Sequence, residues 1–217
     1  MTAIYDGAAP LGTDGFVTDG LSARALDRTA TDVLFREAHT AYSFTAEPVT
    51  DAELAEVYDL VRHAPTAMNA QPLRITFVRT EEGKARLLPL LGEGNRAKAA
   101  SAPVVAILSA DTDFHENLPR LMPHAPNLKD NFADPARRED AAMFNAALQA
   151  GYFILGVRAV GLDAGPMGGF DRAGVDAEFL GGTAQKSILV VNIGHVADGG
   201  TFSRGPRLEH DEAVTIL

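Results

Sequence analysis

The run AAMFNAALQAGYFILGVRAVG, Ala141 to Gly161, limits the possible folds more than any other part of the chain. The helix it belongs to, Glu139 to Val160, is apolar nearly all round, whereas a helix on the surface of a globular protein keeps one polar face. Such a helix needs protein on every side. Asn145, Gln149 and Arg158 interrupt the run and its small residues are many, so it reads as a buried helix and not as a membrane span.

Its 217 residues can bury one sizeable core, and apolar residues at 46% with charged residues at 22% are a globular balance. The expected organisation is an N-terminal arm over residues 1–20 and a single domain over 21–217. A net charge of −10 repels the phosphates of nucleic acid and of anionic lipid, so neither is an expected partner. The absence of cysteine removes disulfides, thiolate metal sites and cysteine nucleophiles, and fits a reducing cytoplasm. The first twenty residues show neither a basic region nor an apolar segment of a secretory signal.

Periodicity predicts an amphipathic helix over Leu21 to Ala38 and a second over Asp51 to His63, opened by a Thr50/Glu53 capping box and ended by Pro65. Arg74 to Arg79 reads as a strand, Glu81 to Leu91 as a helix, and Ala102 to Ser109 as a strand buried on both faces. Residues 111–135 are polar and aperiodic, an excursion of the kind that covers a site. Leu162 to Met167 reads as a short strand, Asp171 to Phe179 as a helix, Ser187 to His195 as a core strand, and residues 197–217 as a polar tail. Helices and strands alternate without hairpin signals, which leaves α/β or α+β.

Several chemistries lose their support here. Gly92, Gly94 and Ala97 match G-x-G-x-x-A, but a helical pattern precedes them where the dinucleotide fingerprint needs a strand. No Walker loop, nucleophile elbow or H-E-x-x-H helix occurs, and the six histidines have no metal-ligand spacing. Asp111 and Asp113 read as a strand-end turn before they read as a cation site. Four polar segments remain. HAPTAMNAQP, His63 to Pro72, packs two amides and a hydroxyl at the mouth of a strand, where they either satisfy orphan backbone or face a ligand. GLDAGPMGGFD, Gly161 to Asp171, has glycines that let backbone N–H groups approach a flat ligand, or else forms a helix cap and tight turn. HTAYSF, His39 to Phe44, and SRGPRL, Ser203 to Leu208, complete the set, the latter with two arginines suited to a phosphate.

Together these segments, with EPVTDAELAEVYDLVRHAPTAMNAQPLRITFVRTEEGKARL, SAPVVAIL and RGPRLEHDEAV, resemble the FMN-dependent nitroreductase family over about Leu34 to Leu217. The likeness is to the subgroup similar to the malonic semialdehyde reductases of pyrimidine degradation. It implies an α+β fold with a mixed sheet flanked by helices, an intertwined homodimer, and FMN in each of two interfacial clefts, with no metal. The central helix would then bury itself against its twofold mate. Pro65, Thr66, Ala67, Met68, Asn69 and Gln71 would lie along the isoalloxazine and ribityl chain. Pro166, Met167, Gly168 and Gly169 would lie at the other edge of the ring, with the Gly168 N–H toward flavin N5. His39, Thr40, Arg204 and Arg207 would hold ribityl and phosphate groups. No side chain is implied as a catalytic group. The implied reaction is ping-pong hydride transfer from NADH or NADPH through N5 to a small oxidised acceptor: malonic semialdehyde giving 3-hydroxypropanoate, or nitro compounds and quinones. A non-catalytic flavin-binding dimer and a non-enzymatic dimeric scaffold are the rivals. The chain departs from the family at Ala38, His39, Thr40 and Tyr42, where the usual signature has two arginines, a serine and a further basic residue. Either Arg36, Arg204 or Arg207 compensates, or FMN is loosely held.

Overall fold

A computed structural model describes residues 25–217 of the chain, so the arm expected over 1–20 and the start of the first expected helix lie outside the described residues. Four strands, β1 (Leu73–Val78), β2 (Val104–Asp111), β3 (Asp163–Met167) and β4 (Gln185–Gly194), form one sheet in the order β1-β2-β4-β3. All three pairings are antiparallel; the parallel pairing of a mixed sheet is not among the described strands. The helices are α1 (Arg28–Thr31), α2 (Asp51–Val61), α3 (Glu81–Leu87), α4 (Glu93–Ser101), α5 (Leu118–Leu121), α6 (Pro135–Ala159), α7 (Arg172–Phe179) and α8 (His210–Ala213).

The sheet separates two cores. Along β2 the side chains alternate, as the period of a strand requires. Val104, Ala106, Leu108 and Ala110 enter a core with Val57 and Val61 of α2 and Ala146, Phe153 and Val157 of α6. Val105 and Ile107 enter the opposite core with Leu87 of α3, Ala99 of α4 and Val175 of α7. Burial on both faces gives the near-continuous apolar run that marked this strand in the sequence. Gly156 of α6 sits against α2, where a Cβ would stand 3.2 Å from Val61 Cγ2, so the two helices cross with no room for a side chain.

Three expectations are corrected. The first helix begins only at Arg28, capped by Asp27, and gives way after one turn to a wide turn closed by Glu37 N–H to Asp32 O. Leu26, Val33 and Phe35 are exposed, with no core of the described residues against them. The helix expected over Glu81 to Leu91 stops at Leu87 and tightens into a single turn at Pro89, and α4 follows, unread because only one of its residues is buried. Residues 111–135 are not merely a polar cover: three short helical turns insert Phe114, Leu118 and Phe132 into the first core, with Phe114 and Phe132 edge to face at 5.0 Å. The central helix α6 is covered, among the described residues, on one side only. Phe144, Ala147, Leu148, Gly151 and Tyr152, one stripe at helical spacing, stay exposed, Phe144 at 66%.

The Thr50/Glu53 capping box forms as expected. Thr50 Oγ1 accepts from Glu53 N–H, and the Glu53 carboxylate accepts from the Thr50 N–H at 2.7 Å. These bonds to the backbone and hydroxyl of Thr50 hold the Glu53 carboxyl below its ordinary value of 4.5. A depressed carboxyl stabilises the fold above its unfolded value, and that contribution is lost as pH falls through the folded value. Thr50→Ala should therefore cost about 1 kcal/mol at pH 7, and the difference from the wild type, measured by urea unfolding, should shrink below pH 4.5.

Candidate functional site

The segment between α2 and β1 is held in an unusual backbone conformation. Met68, Asn69 and Gln71 have φ of 54°, 49° and 44°, the left-handed region, at a cost of roughly 1–2 kcal/mol per residue. Strain of this kind survives where neighbours over-determine it and is concentrated at binding and catalytic sites. The neighbours are identifiable. Asn145 of α6 accepts from Ala67 N–H at 2.7 Å and donates to Ala141 O at 2.8 Å. One helical turn later Gln149 accepts from Leu73 N–H at 3.0 Å. Thr66 Oγ1 accepts from Gln71 N–H, Gln71 Nε2 donates to Asn69 Oδ1 at 2.6 Å, and Asn69 Nδ2 donates to Leu121 O. Pro65, Ala67, Met68 and Asn69 are thereby presented on the surface. Gln71 lines a cleft of about 700 Å³ with Arg74, Phe77, Asn117 and Arg120. Arg74 is paired to Asp111 at 2.6 Å, which gives Asp111 and Asp113 their role as a strand-end turn; among the described residues no group of acids or histidines could hold a metal ion.

The other expected residues gather at the opposite edge of the sheet. Ala41 N–H donates to Ala164 O of β3 and Thr45 N–H to His195 O, so the segment 39–45 lies along β3 and the end of β4. Gly165 is required there, since a Cβ would stand 2.5 Å from Ala41 O. His39, Thr40, Arg204 and Arg207 line one cleft of about 500 Å³. Arg204 Nη2 donates to the carbonyls of Arg36 and Ala38, Arg207 donates to those of Gly205 and Pro206, and a His39 ring nitrogen meets Phe202 O at 3.0 Å. Beyond β3, Gly168 and Gly169 are exposed, while the Met167 side chain turns into the core beside Asn192, leaving only backbone to meet a ligand at that position. Two donors converge on Gly169 O, Gly92 N–H and Asn95 Nδ2, both at 3.0 Å, and so fix the peptide after Gly169. The two groups of residues are thus three strand spacings apart, about 14 Å, and their clefts share no lining residue.

Four functional positions escaped sequence reading. Asn145 and Gln149 appeared only as interruptions of an apolar helix, yet their spacing of four placed both on one face, aimed at one segment. Asn95 lay in a helix that was not read. Arg158, the third interruption, lines the smaller cleft; burial pulls its guanidinium below the ordinary range, against the pull of Asp163, and neighbouring Arg204 adds to the lowering. It remains a cation at neutral pH.

Residues 35–195 match the family described as the nitroreductase family. The chain belongs to the nitroreductase family. A Streptomyces coelicolor protein provisionally named NADH dehydrogenase/NAD(P)H nitroreductase is 58% identical over 182 residues, 83% of this chain and 90% of its own. A Leptothrix cholodnii protein of the same provisional name is 52% identical over 194 residues, 89% and 98% of the two chains. Among solved structures, a provisionally named nitroreductase from Exiguobacterium sibiricum in complex with FMN superposes with a TM-score of 0.78 at 19% identity, over 89% of this chain and 98% of that one. The match to the nitroreductase family takes in both edges of the sheet and stops short of Arg204 and Arg207.

Asn145→Ala should leave the Ala67 N–H without a partner and cost about 1–3 kcal/mol. Amide exchange should speed up at Ala67 to Gln71 and stay unchanged in β4, which reports the loosened segment separately from the rest of the fold.

Proposed function

We propose that the chain is an NAD(P)H-dependent flavin oxidoreductase that binds FMN at a site completed by a second copy of itself. The observation that carries this reading is the cleft of His39, Thr40, Arg158, Ser203, Arg204 and Arg207, a cationic lining without a carboxylate in a chain of net charge −10. Such a lining fits a phosphate. The segment 65–71 fits the uncharged remainder of a flavin, with amide donors and acceptors on Asn69 and Gln71 beside the flat, exposed surface of Pro65, Ala67 and Met68. One chain keeps these two halves at opposite edges of its sheet. A twofold axis through the exposed stripe of α6 supports bringing one edge of each copy to the other edge of its partner.

Bound FMN supplies hydride exchange at N5 between a nicotinamide and an acceptor. The protein's part is to hold and orient it. Gly168 and Gly169, without side chains and fixed through Gly169 O, leave a backbone N–H free to face a ring edge. The arginines anchor the far end. The acceptor is a small oxidised compound; a nitro compound is in keeping with the names of the relatives, and a quinone rests on the sequence resemblance. Malonic semialdehyde as the particular acceptor rests on the sequence resemblance alone.

The purified protein incubated with FMN and desalted should keep flavin absorption bands that bleach on anaerobic NADH or NADPH and return when a nitro compound or quinone is added. A colourless protein would end this reading, and a flavin that stays oxidised would leave a flavin-binding dimer in its place. For the assembly, Leu148→Glu should convert a dimer to monomer in sedimentation equilibrium and abolish flavin retention together with it.

A further inference from the structure

In the sequence resemblance, the family's cluster of two arginines, a serine and a further basic residue falls at Ala38, His39, Thr40 and Tyr42, where this chain has one basic group, His39. The structure shows a cation at the same place that comes from another part of the chain. Arg158 stands in the last turn of α6 and lines the smaller cleft between Leu34 and Ala38 on one side and Phe202 to Arg207 on the other. Resting on the flavin reading above, we propose that Arg158 supplies a phosphate contact in this cleft beside residues 38–42.

Three features support it. The first is anchorage. Arg204 spends one edge of its guanidinium on the carbonyls of Arg36 and Ala38, and Arg207 on those of its own neighbours Gly205 and Pro206, both from a segment that is exposed throughout. Arg158 issues from the helix that forms the middle of the first core, directly beside Gly156 and Val157, so its position is set before any ligand arrives. The second is charge. Among the described residues no carboxylate stands within ion-pair distance of Arg158, Arg204 or Arg207. The one acid that influences Arg158, Asp163, has its Oδ2 engaged by Val196 N–H at 2.9 Å. The third is desolvation. Arg158 is half-buried, and its one hydrogen bond among the described residues, to Leu34 O, is long at 3.4 Å, leaving most of its five donors to be met from the cleft. A dianionic phosphate meets them and offsets the neighbouring charges of Arg204, Arg207 and, when protonated, His39.

The bland alternative is that Arg158 only complements the carbonyl end of α6. A phosphate contact and a helix-end role are separated by comparing FMN with riboflavin, which differ by the phosphate. Both are titrated by flavin fluorescence into wild type, Arg158→Met and Arg158→Lys at low ionic strength, with oligomeric state followed by sedimentation. Losing one charge-assisted contact should weaken FMN about tenfold to a hundredfold in Arg158→Met, with riboflavin within about twofold of the wild type. Arg158→Lys, a point charge without the bidentate fork, should recover part of the loss. Unchanged FMN affinity, or an equal loss of both ligands, would overturn the assignment. If Arg158→Met does not fold, Arg158→Lys decides alone, by a loss confined to FMN. Wild type that binds neither flavin would remove the flavin reading itself, and Arg158 with it.

Discussion

Everything in this fold is arranged around a helix that must satisfy two demands at once. The inner side of α6 packs Ala142, Ala146, Ala150, Phe153 and Val157 against the sheet and α2, and the same side carries Asn145 and Gln149. Two amides buried to within a few per cent in an apolar layer are costly unless bonded. Here they are bonded to backbone N–H groups that a strand and a strained turn leave unpaired, so these hydrogen bonds offset the cost of burying the amides and help to hold the left-handed residues. Remove either amide and a backbone N–H is stranded; straighten the turn and the amides are stranded. The segment 65–73 and α6 therefore behave as one unit, although some eighty residues separate them in the chain.

The other edge of the sheet is built on different terms. Around β3 the chain comes together by omission. Gly165 lets Ala41 pass, Gly92 lets Gly169 O approach, and Gly194 leaves room for Pro103 and Phe44. Backbone is brought against backbone, and the cations are then added from three directions: the segment after α1, the end of α6 and the tail. The Tyr42 and Phe202 rings meet at 4.5 Å, tilted by 59°, with the Lys98 ammonium 4.6 Å from the Tyr42 ring, and this aromatic pair joins the first and last of those segments. The positive character of the cleft is thus a property of the assembled fold and not of any one stretch.

That difference explains what could be read beforehand. β2 and β4 were legible because burial on both faces writes a continuous apolar run, and α2 because its capping box and stripe are local. The whole of α6 was legible as a helix, but not which side the chain would leave open, since composition gives no direction. α4 was missed: Ala99 is its one buried residue, and a short solvated helix leaves almost no periodic trace. The excursion 111–135 misled for a related reason, its three anchors Phe114, Leu118 and Phe132 being spaced at no regular interval. At the site, the segments 65–71 and 166–169 stood out by composition. Arg158 did not, because a single arginine in the last turn of a helix is ordinary, and only the tertiary position of residues 34–40 and 202–207 gives it company.

The division of the candidate residues between two edges of one sheet has a genetic reading. In the proposed dimer, where each site draws one edge from either copy, a lesion in 65–71 and a lesion in 204–207 would damage different halves of the site. In a cell making both variant chains, a mixed pair would contain one site with both lesions and one with neither. Two inactive alleles would then give a partly active organism, whereas two alleles broken at the same edge would not, and the pattern of complementation among mutants would map which edge each residue serves.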